Sequence, residues 1–141
     1  MERKASAIWK GNLREGSGSL TTQSGVLHDS PYSFTTRFEN ASGTNPEELI
    51  AAAHAGCFSM ALSAQLMTLQ LTAEKIATAA TLTFEKLEAG WTITKVHLDV
   101  TARVPSASAE AFAGAAASAK ANCPLSRVLK AEITMSAKLE S

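Results

Sequence analysis

The sequence has only two cysteines, Cys57 and Cys123, in 141 residues. Two cysteines are too few for the disulfide framework of a small secreted protein, so we expect both thiols to be reduced in a cytoplasmic protein. We also expect no secretory signal, because the opening segment MERKASAIWKG contains no apolar run. The length fits one domain over residues 1–141, and 45% of the residues are hydrophobic, enough for a core that needs no disulfides.

An excess of charge of either sign is lacking as well. Thirteen Lys and Arg residues balance thirteen Asp and Glu residues, and the formal net charge is zero. The composition therefore does not indicate a basic surface for nucleic acid or for anionic lipid, and we expect no nucleic-acid partner.

Charged residues are absent from residues 49–73, a stretch long enough to cross a membrane. The stretch nevertheless contains His54, Gln65, Gln70 and several Ser and Thr, and much of its apolar content is Ala. No Lys or Arg lies close before it. We therefore interpret it as a buried helix and expect no membrane span.

Helix-start signals precede this uncharged stretch. Asn45 can be the N-cap, Pro46 the first helical residue, and Glu48 stands three residues after the cap, as in a capping box. These signals predict a helix from Pro46 to about Leu69. Apolar side chains occur all round it, so it must be covered on every side. One small domain rarely surrounds a helix about 35 Å long, so a second subunit is expected to supply the missing cover.

The other elements complete an α+β pattern. Strands and turns are expected before the long helix, among them a strand over YSFTTRFE, residues 32–39. After the helix we expect strands over 76–88 and 91–104 with a turn at 88–90, an alanine-rich helix over 106–122, a short helical turn after Pro124, and a strand over 132–140.

The two cysteines are the first candidates for chemistry. They are 66 residues apart, which excludes a CxxC redox motif and a zinc knuckle. Either could be a buried structural cysteine. Cys123 directly precedes Pro124, near a helix N-terminus that can stabilise a thiolate, so local reasoning makes Cys123 the more reactive thiol.

Three further side chains are candidates for the same site. His54 precedes Cys57 by three residues and shares its helix face. It is a hydrogen-bonded core histidine, a group that tunes the thiol, or a metal ligand together with both cysteines, although a structural zinc site needs four ligands. Arg37 is either a solvated strand residue or a guanidinium that lowers a thiol pKa. Glu47 suits a helix first turn but lies ten residues, about 15 Å, from Cys57, so a shared site would need two subunits.

At NPEELIAAAHAGCFSMAL and ANCPLSRVLKAEI the sequence resembles the OsmC/Ohr family (osmotically inducible protein C and organic hydroperoxide resistance protein). The likeness extends through SGVLHDSPYSFTTRFE to the C-terminus, and that segment is more similar to the OsmC branch than to the Ohr branch. The resemblance implies an intertwined α+β homodimer, with β-sheets around two long central helices and with its sites at the subunit interface.

The resemblance also implies a peroxidase of oxidative and osmotic stress defence that reduces organic hydroperoxides to alcohols. Cys57 would be the peroxidatic thiol, oxidised to a sulfenic acid, and Cys123 the resolving thiol that closes an intramolecular disulfide, which reverses the local ranking. Arg37 would hold the Cys57 thiolate and Glu47 would hold Arg37 by a bidentate pair. Arg14 is the alternative arginine, since the Ohr branch uses an earlier loop. No cofactor or metal is implied, and a dithiol reductant, lipoyl-linked in relatives, would recycle the disulfide.

Two other functions stay open at this point. One is a dimeric small-molecule or metal-binding protein whose thiols are not catalytic. The other is a Cys-His acyl-transfer enzyme, for which the sequence offers no residue that would orient His54.

Overall fold

The computed structural model describes residues 1–140 and confirms the mixed α+β prediction. Six strands and four helices occur over these residues. The chain divides into two compact units, Met1–Leu49 and the part from Ile50 onwards, which are described in turn. That the whole chain acts as one domain stays a prediction.

The N-terminal unit is built on a three-stranded antiparallel sheet. β1 (Ala5–Lys10), β2 (Ser17–Thr22) and β3 (Ser30–Tyr32) pair in the order β1-β2-β3. The rings of Trp9 and Tyr32 meet across β2 with centroids 5.5 Å apart. A Cβ at Gly18 would lie 2.5 Å from the Tyr32 ring and 2.7 Å from the Trp9 ring, so only glycine fits between these two aromatic residues.

The prediction of a strand over residues 32–39 is wrong. Only Tyr32 belongs to β3, and the residues after it form a short helix, α1 (Phe34–Phe38). Ser33 caps this helix: its hydroxyl accepts from the Thr36 N–H at 3.3 Å, and the Thr36 hydroxyl accepts from the Ser33 N–H at 2.9 Å. This reciprocal capping and the ring contact between Phe34 and Phe38, at 4.9 Å, outweigh the strand preference of the aromatic and β-branched residues.

The predicted long helix is present as α2 (Pro46–Thr68). The Asn45 side chain accepts from the Glu48 N–H at 2.8 Å, as the capping signal predicts. The Glu48 carboxylate accepts from the Thr44 hydroxyl at 2.7 Å rather than from the cap backbone. α2 is long and apolar enough to cross a membrane by length and composition. It is nevertheless placed as the core helix of a soluble fold, because its buried face belongs to the core of the second unit.

The second unit packs α2 and a later helix on a mixed sheet. β4 (Lys75–Leu87) and β5 (Gly90–Arg103) form an antiparallel hairpin, and β6 (Glu132–Glu140) joins β5 in parallel. A parallel partner needs a crossover, which α3 (Ala109–Asn122) and α4 (Pro124–Val128) supply. The hairpin, both helices and the last strand agree with the sequence-based expectations.

The core of this unit lies between the apolar face of the sheet and the helices. Alternate residues of β5 point inward, as the sequence alternation predicts, and they meet the inward side chains of α2 and α3. The fully buried apolar residues from β5 and α2 are Val96, Leu98, Val100, Phe58, Leu62 and Leu66. Cys123 is buried with them, so the core positions one of the two thiols.

Candidate active site

Cys57 and Cys123 lie side by side in the second unit. Cys57 is on α2, whereas Cys123 ends α3 as its C-cap and begins α4 as its N-cap. Both thiols are reduced, and their Sγ atoms are 3.2 Å apart. A disulfide bond is ~2.05 Å long, so the sulfurs need to approach by about 1.2 Å to bond. The two thiols are therefore within disulfide reach.

Local sequence explains the position of Cys123. Its N–H donates to the Ala119 carbonyl at 2.9 Å, which closes α3. Pro124 then disfavours helical backbone at the residue before it and suits the first position of a new helix. Cys123 accordingly has φ −54° and ψ 127°, outside the helical region, and its carbonyl accepts from the Arg127 N–H at 3.0 Å. The chain turns at Cys123, and the turn presents its thiol to α2.

The surroundings of Cys57 raise the pKa of its thiol. Burial is the largest cause and raises the pKa; the backbone amide of Leu125 lowers it, while the hydrogen bond and charge of Cys123 raise it. The net direction is above the ordinary value of 9.0. None of these groups is a cation. With these neighbours alone, Cys57 is a neutral thiol at physiological pH, and an efficient nucleophile there would require an added positive charge.

His54 is fully buried and bonded to α4. Its Nε2 lies 2.9 Å from the Ser126 hydroxyl, whereas its Nδ1 is buried without a hydrogen-bond partner. Burial lowers the pKa of His54, so the imidazole is neutral at physiological pH. Within residues 1–140, no group of three or more His, Cys, Asp and Glu side chains is arranged to hold a metal ion. His54 is thus a hydrogen-bonded core histidine in this structure.

Arg37 and Glu47 are paired in the first unit. Nε of Arg37 donates to both carboxylate oxygens of Glu47, at 3.1 and 3.3 Å, and Nη2 donates to Oε1 at 2.9 Å. The Arg37 guanidinium also lies 5.1 Å from the centroid of the Phe38 ring. The Asn45 amide donates to the Thr36 carbonyl at 3.0 Å, which ties α1 to the start of α2. The guanidinium is held in one pose by charge-assisted bonds, and 36% of the Arg37 side chain is exposed.

An aromatic cavity of about 200 Å³ adjoins this ion pair. Its lining combines apolar and aromatic side chains with the Arg37 side chain, and it consists of Trp9, Leu13, Tyr32, Ser33, Phe34, Arg37 and Phe38. Arg14, the alternative arginine, has its guanidinium 5.0 Å from the centroid of the Phe34 ring. This part of the molecule offers an apolar surface next to a fixed positive charge.

Sequence reasoning missed two groups of the thiol site. The Ser126 hydroxyl and the Leu125 backbone N–H both contact the α2 residues of the site. Ser126 is 72 residues from His54, and no spacing pattern connects them. The motif ANCPLS contains both residues, but their contacts become visible only in the folded structure, where α4 packs beside α2.

The chain resembles known proteins along nearly its whole length. The family model described as OsmC-like protein matches residues 39–138. The chain is 49% identical over 141 residues to the peroxiredoxin OsmC of Escherichia coli (strain K12), covering 100% of this chain and 99% of that protein.

Two solved structures share the fold. The OsmC-like protein from Mycoplasma pneumoniae superposes with a TM-score of 0.76 at 14% identity, over 100% of this chain and 99% of that one. The organic hydroperoxide resistance protein OhrB of Bacillus subtilis superposes with a TM-score of 0.66 at 22% identity, over 97% and 98% of the two chains.

Proposed function

Because the chain belongs to the OsmC-like family, we propose that it is a thiol peroxidase that reduces organic hydroperoxides to alcohols. The peroxiredoxin name of the Escherichia coli relative supports a peroxidase-like enzyme of stress defence. The observation that carries the finer proposal is the 3.2 Å separation of two reduced thiols, one half-buried and one fully buried. Reduced thiols of this kind fit a cytoplasmic enzyme.

The proposed reaction has two steps. The Cys57 thiolate attacks the distal oxygen of the hydroperoxide, the O–O bond breaks, and the alkoxide that leaves takes a proton and becomes the alcohol. Cys57 is then a sulfenic acid. The Cys123 thiol attacks the Cys57 sulfur, a disulfide forms and water leaves. One hydroperoxide and two thiols thus give one alcohol, one water and one disulfide.

The exposure of the two thiols supports these roles. Cys57 is half-buried and accessible to a small molecule, whereas Cys123 is fully buried and is not. The Leu125 backbone amide also lowers the pKa of Cys57, the thiol that has to carry negative charge. Both observations favour Cys57 as the peroxidatic thiol, against the local argument for Cys123 at its helix N-terminus.

We propose that Arg37 of a second copy supplies the positive charge that Cys57 lacks. Glu47, which holds Arg37, precedes Cys57 by ten residues of one helix, about 15 Å. α2 also leaves Met60 and Met67 78% and 72% exposed, an apolar surface that a second copy would cover. The proposed enzyme is therefore a homodimer in which the Arg37–Glu47 pair of one protomer faces Cys57 of its partner. The aromatic cavity beside Arg37 would then receive the organic group of the substrate.

The proposed reductant is a small dithiol of the lipoyl type. After its first thiol attacks Cys57, a mixed disulfide remains in a half-buried site. The second thiol of the same molecule can then displace it without a second binding event. We therefore expect dihydrolipoamide to support turnover better than glutathione at equal thiol concentration.

Non-reducing peptide mapping tests the proposed function directly. Reduced protein is mixed with one equivalent of cumene hydroperoxide or of hydrogen peroxide, and peptides are mapped at short times. We expect a Cys57–Cys123 disulfide that forms faster with the organic peroxide. Cys57→Ser should abolish peroxide consumption, and Cys123→Ser should consume one equivalent and stop at the sulfenic or a higher acid. Thiols that stay free with both peroxides would refute the proposal and favour a binding protein.

A further inference from the structure

α4 is a small element that supplies several groups to the thiol site. It is five residues long and none of its residues is buried. Leu125 and Leu129 pack against the edge of the core. With its N-cap, α4 nevertheless presents three functional groups to α2: the Cys123 thiol, the Leu125 N–H and the Ser126 hydroxyl.

The receiving residues lie on one face of α2. Cys57 contacts the Cys123 thiol and the Leu125 N–H, and His54, one helical turn earlier, contacts Ser126. Apolar packing of Leu125 and Leu129 keeps α4 near the core but has no preferred direction. A hydrogen bond is directional, so the His54–Ser126 bond can fix the rotation of α4 about its axis.

We propose that His54 is a positioning residue: through its hydrogen bond to Ser126 it holds the Leu125 N–H on the Cys57 sulfur and keeps Cys123 within disulfide reach. This role bears on the peroxidase through the proposed function, but it can be measured on the thiol without any peroxide. In this role His54 acts through Ser126 and α4 and takes no part in the reaction itself.

The chemistry of the imidazole fits this role. Burial keeps His54 neutral, so one ring nitrogen carries a hydrogen and the other a lone pair. If Nε2–H donates to Ser126, the partnerless buried atom Nδ1 has only an unused lone pair. The opposite tautomer would bury an unsatisfied N–H, which is the costlier defect. We therefore assign the hydrogen to Nε2, which makes His54 the donor that anchors α4.

The expected consequence is on the thiolate population of Cys57. If α4 rotates away, the sulfur loses the one contact that lowers its pKa, while its burial, the largest cause that raises the pKa, remains. At neutral pH, where Cys57 is mostly protonated, a higher pKa means a proportionally smaller thiolate fraction. Loss of a bond of this kind predicts alkylation at neutral pH about threefold to tenfold slower.

The test is the pH dependence of Cys57 alkylation by iodoacetamide, read on the Cys57 peptide by mass spectrometry. Ser126→Ala and His54→Leu remove the hydrogen bond and should shift the profile to higher pH, with the alkaline plateau rate unchanged. Ser126→Thr keeps the hydroxyl, and His54→Gln keeps a donor near the position of Nε2. Both conservative variants should return the neutral-pH rate to within about twofold of the parent, because they preserve the bond.

Thr134→Val is the matched control. It deletes another histidine–hydroxyl bond, that between His97 Nδ1 and Thr134 Oγ1 at 2.6 Å, on the sheet of the same unit. It should leave the Cys57 profile where it is. Thermal melting of every variant identifies any that fails to fold, and the two conservative variants keep the test decisive in that case.

Two results would overturn the proposal. One is an unchanged profile in both Ser126→Ala and His54→Leu. The other is an equal shift in Thr134→Val, which would indicate general loosening of the unit. If peroxide does not oxidise the thiols of the parent protein, the proposed function is refuted instead, and the alkylation profiles still decide the role of His54.

Discussion

The reactivity of Cys57 is set by a small number of neighbouring groups. Burial raises its thiol pKa, and the Leu125 N–H opposes this only in part. A thiolate at physiological pH therefore needs a guanidinium within a few ångströms, since an opposite charge at that distance lowers a pKa by about 1–3 units. Arg37, oriented by three hydrogen bonds to Glu47, is the group we assign to this task.

Arg37→Met should slow the oxidation of Cys57 at neutral pH by about ten- to a hundredfold. The difference in oxidation rate between the variant and the parent should shrink as pH rises, because the Cys57 thiol is then deprotonated without help from Arg37. Stopped-flow oxidation with cumene hydroperoxide across a pH series measures both effects. Arg14→Met is the control, and a larger loss in that variant would transfer the role to Arg14.

The buried neutral His54 makes stability depend on pH. Its folded-state pKa lies below the ordinary value of 6.5, so the unfolded chain binds a proton more readily than the folded one. Stability should therefore be full above about pH 6.5 and fall as the pH drops towards the folded-state pKa. Urea denaturation of the parent and of His54→Gln over this range isolates the contribution. Equal pH slopes in the two proteins would contradict it.

At the level of single elements, short-range hydrogen bonds determine whether the residues after Ser33 form a strand or a helix. Phe34, Thr35, Thr36 and Phe38 are residue types that favour strands, and we predicted a strand there. The Ser33–Thr36 capping box turns the same residues into α1 and places Arg37 beside Glu47. The Ser-x-x-Thr spacing was visible in the sequence but departs from the usual Ser-x-x-Glu form of the signal.

Removing the Ser33 cap of α1 should shift the position of Arg37, although the arginine itself is not mutated. Ser33→Ala should cost about 1 kcal/mol of stability, and it should also slow oxidation of Cys57, because α1 carries Arg37. Ser108→Ala removes a comparable cap on α3, where the hydroxyl accepts from the Ala111 N–H at 3.0 Å. We expect similar unfolding free energies for the two variants but slower oxidation only in Ser33→Ala. Equal oxidation rates would argue against the role of α1.

At the scale of the whole molecule, α2 is apolar on more sides than one chain covers. Phe58, Leu62 and Leu66 are fully buried, while Met60 and Met67 project from the same helix largely exposed. A cluster of exposed apolar side chains on a core helix is typical of an interface. The proposed homodimer would bury this surface, and it would also bring the arginine of one protomer to the thiol of the other.

Met60→Glu and Met67→Glu together should produce monomers and a poorly reactive thiol. Burying a methionine is worth about 1.5–3 kcal/mol, and a charge at the same position cannot be buried unpaired. Sedimentation velocity measures the assembly, and stopped-flow oxidation measures the thiol. Met60→Leu with Met67→Leu keeps the apolar area and should keep both properties. A parent protein that is monomeric at micromolar concentration would exclude the dimer.

Several elements could be predicted from the sequence because the signals for them act over only a few residues. Asn45 and Pro46 marked the start of α2, side-chain alternation marked β5, and Pro124 marked the start of α4, because caps, alternation and proline sterics are local effects. Motif likeness determined the family. The site roles of Cys57, Cys123, Arg37 and Glu47 that the likeness implies remain predictions.

The identity of the groups around the thiols depends on how distant segments of the chain pack together. The bond between His54 and Ser126 joins residues 72 positions apart, and the relative exposure of Cys57 and Cys123 depends on how α2, α3 and α4 pack. No local sequence pattern predicts this hydrogen bond or these exposures, because they arise where α4, distant in sequence, packs beside α2. The chemistry of the site depends on this packing of α4 beside α2, since burial, the amide of Leu125 and the neighbouring thiol all act on the pKa of Cys57.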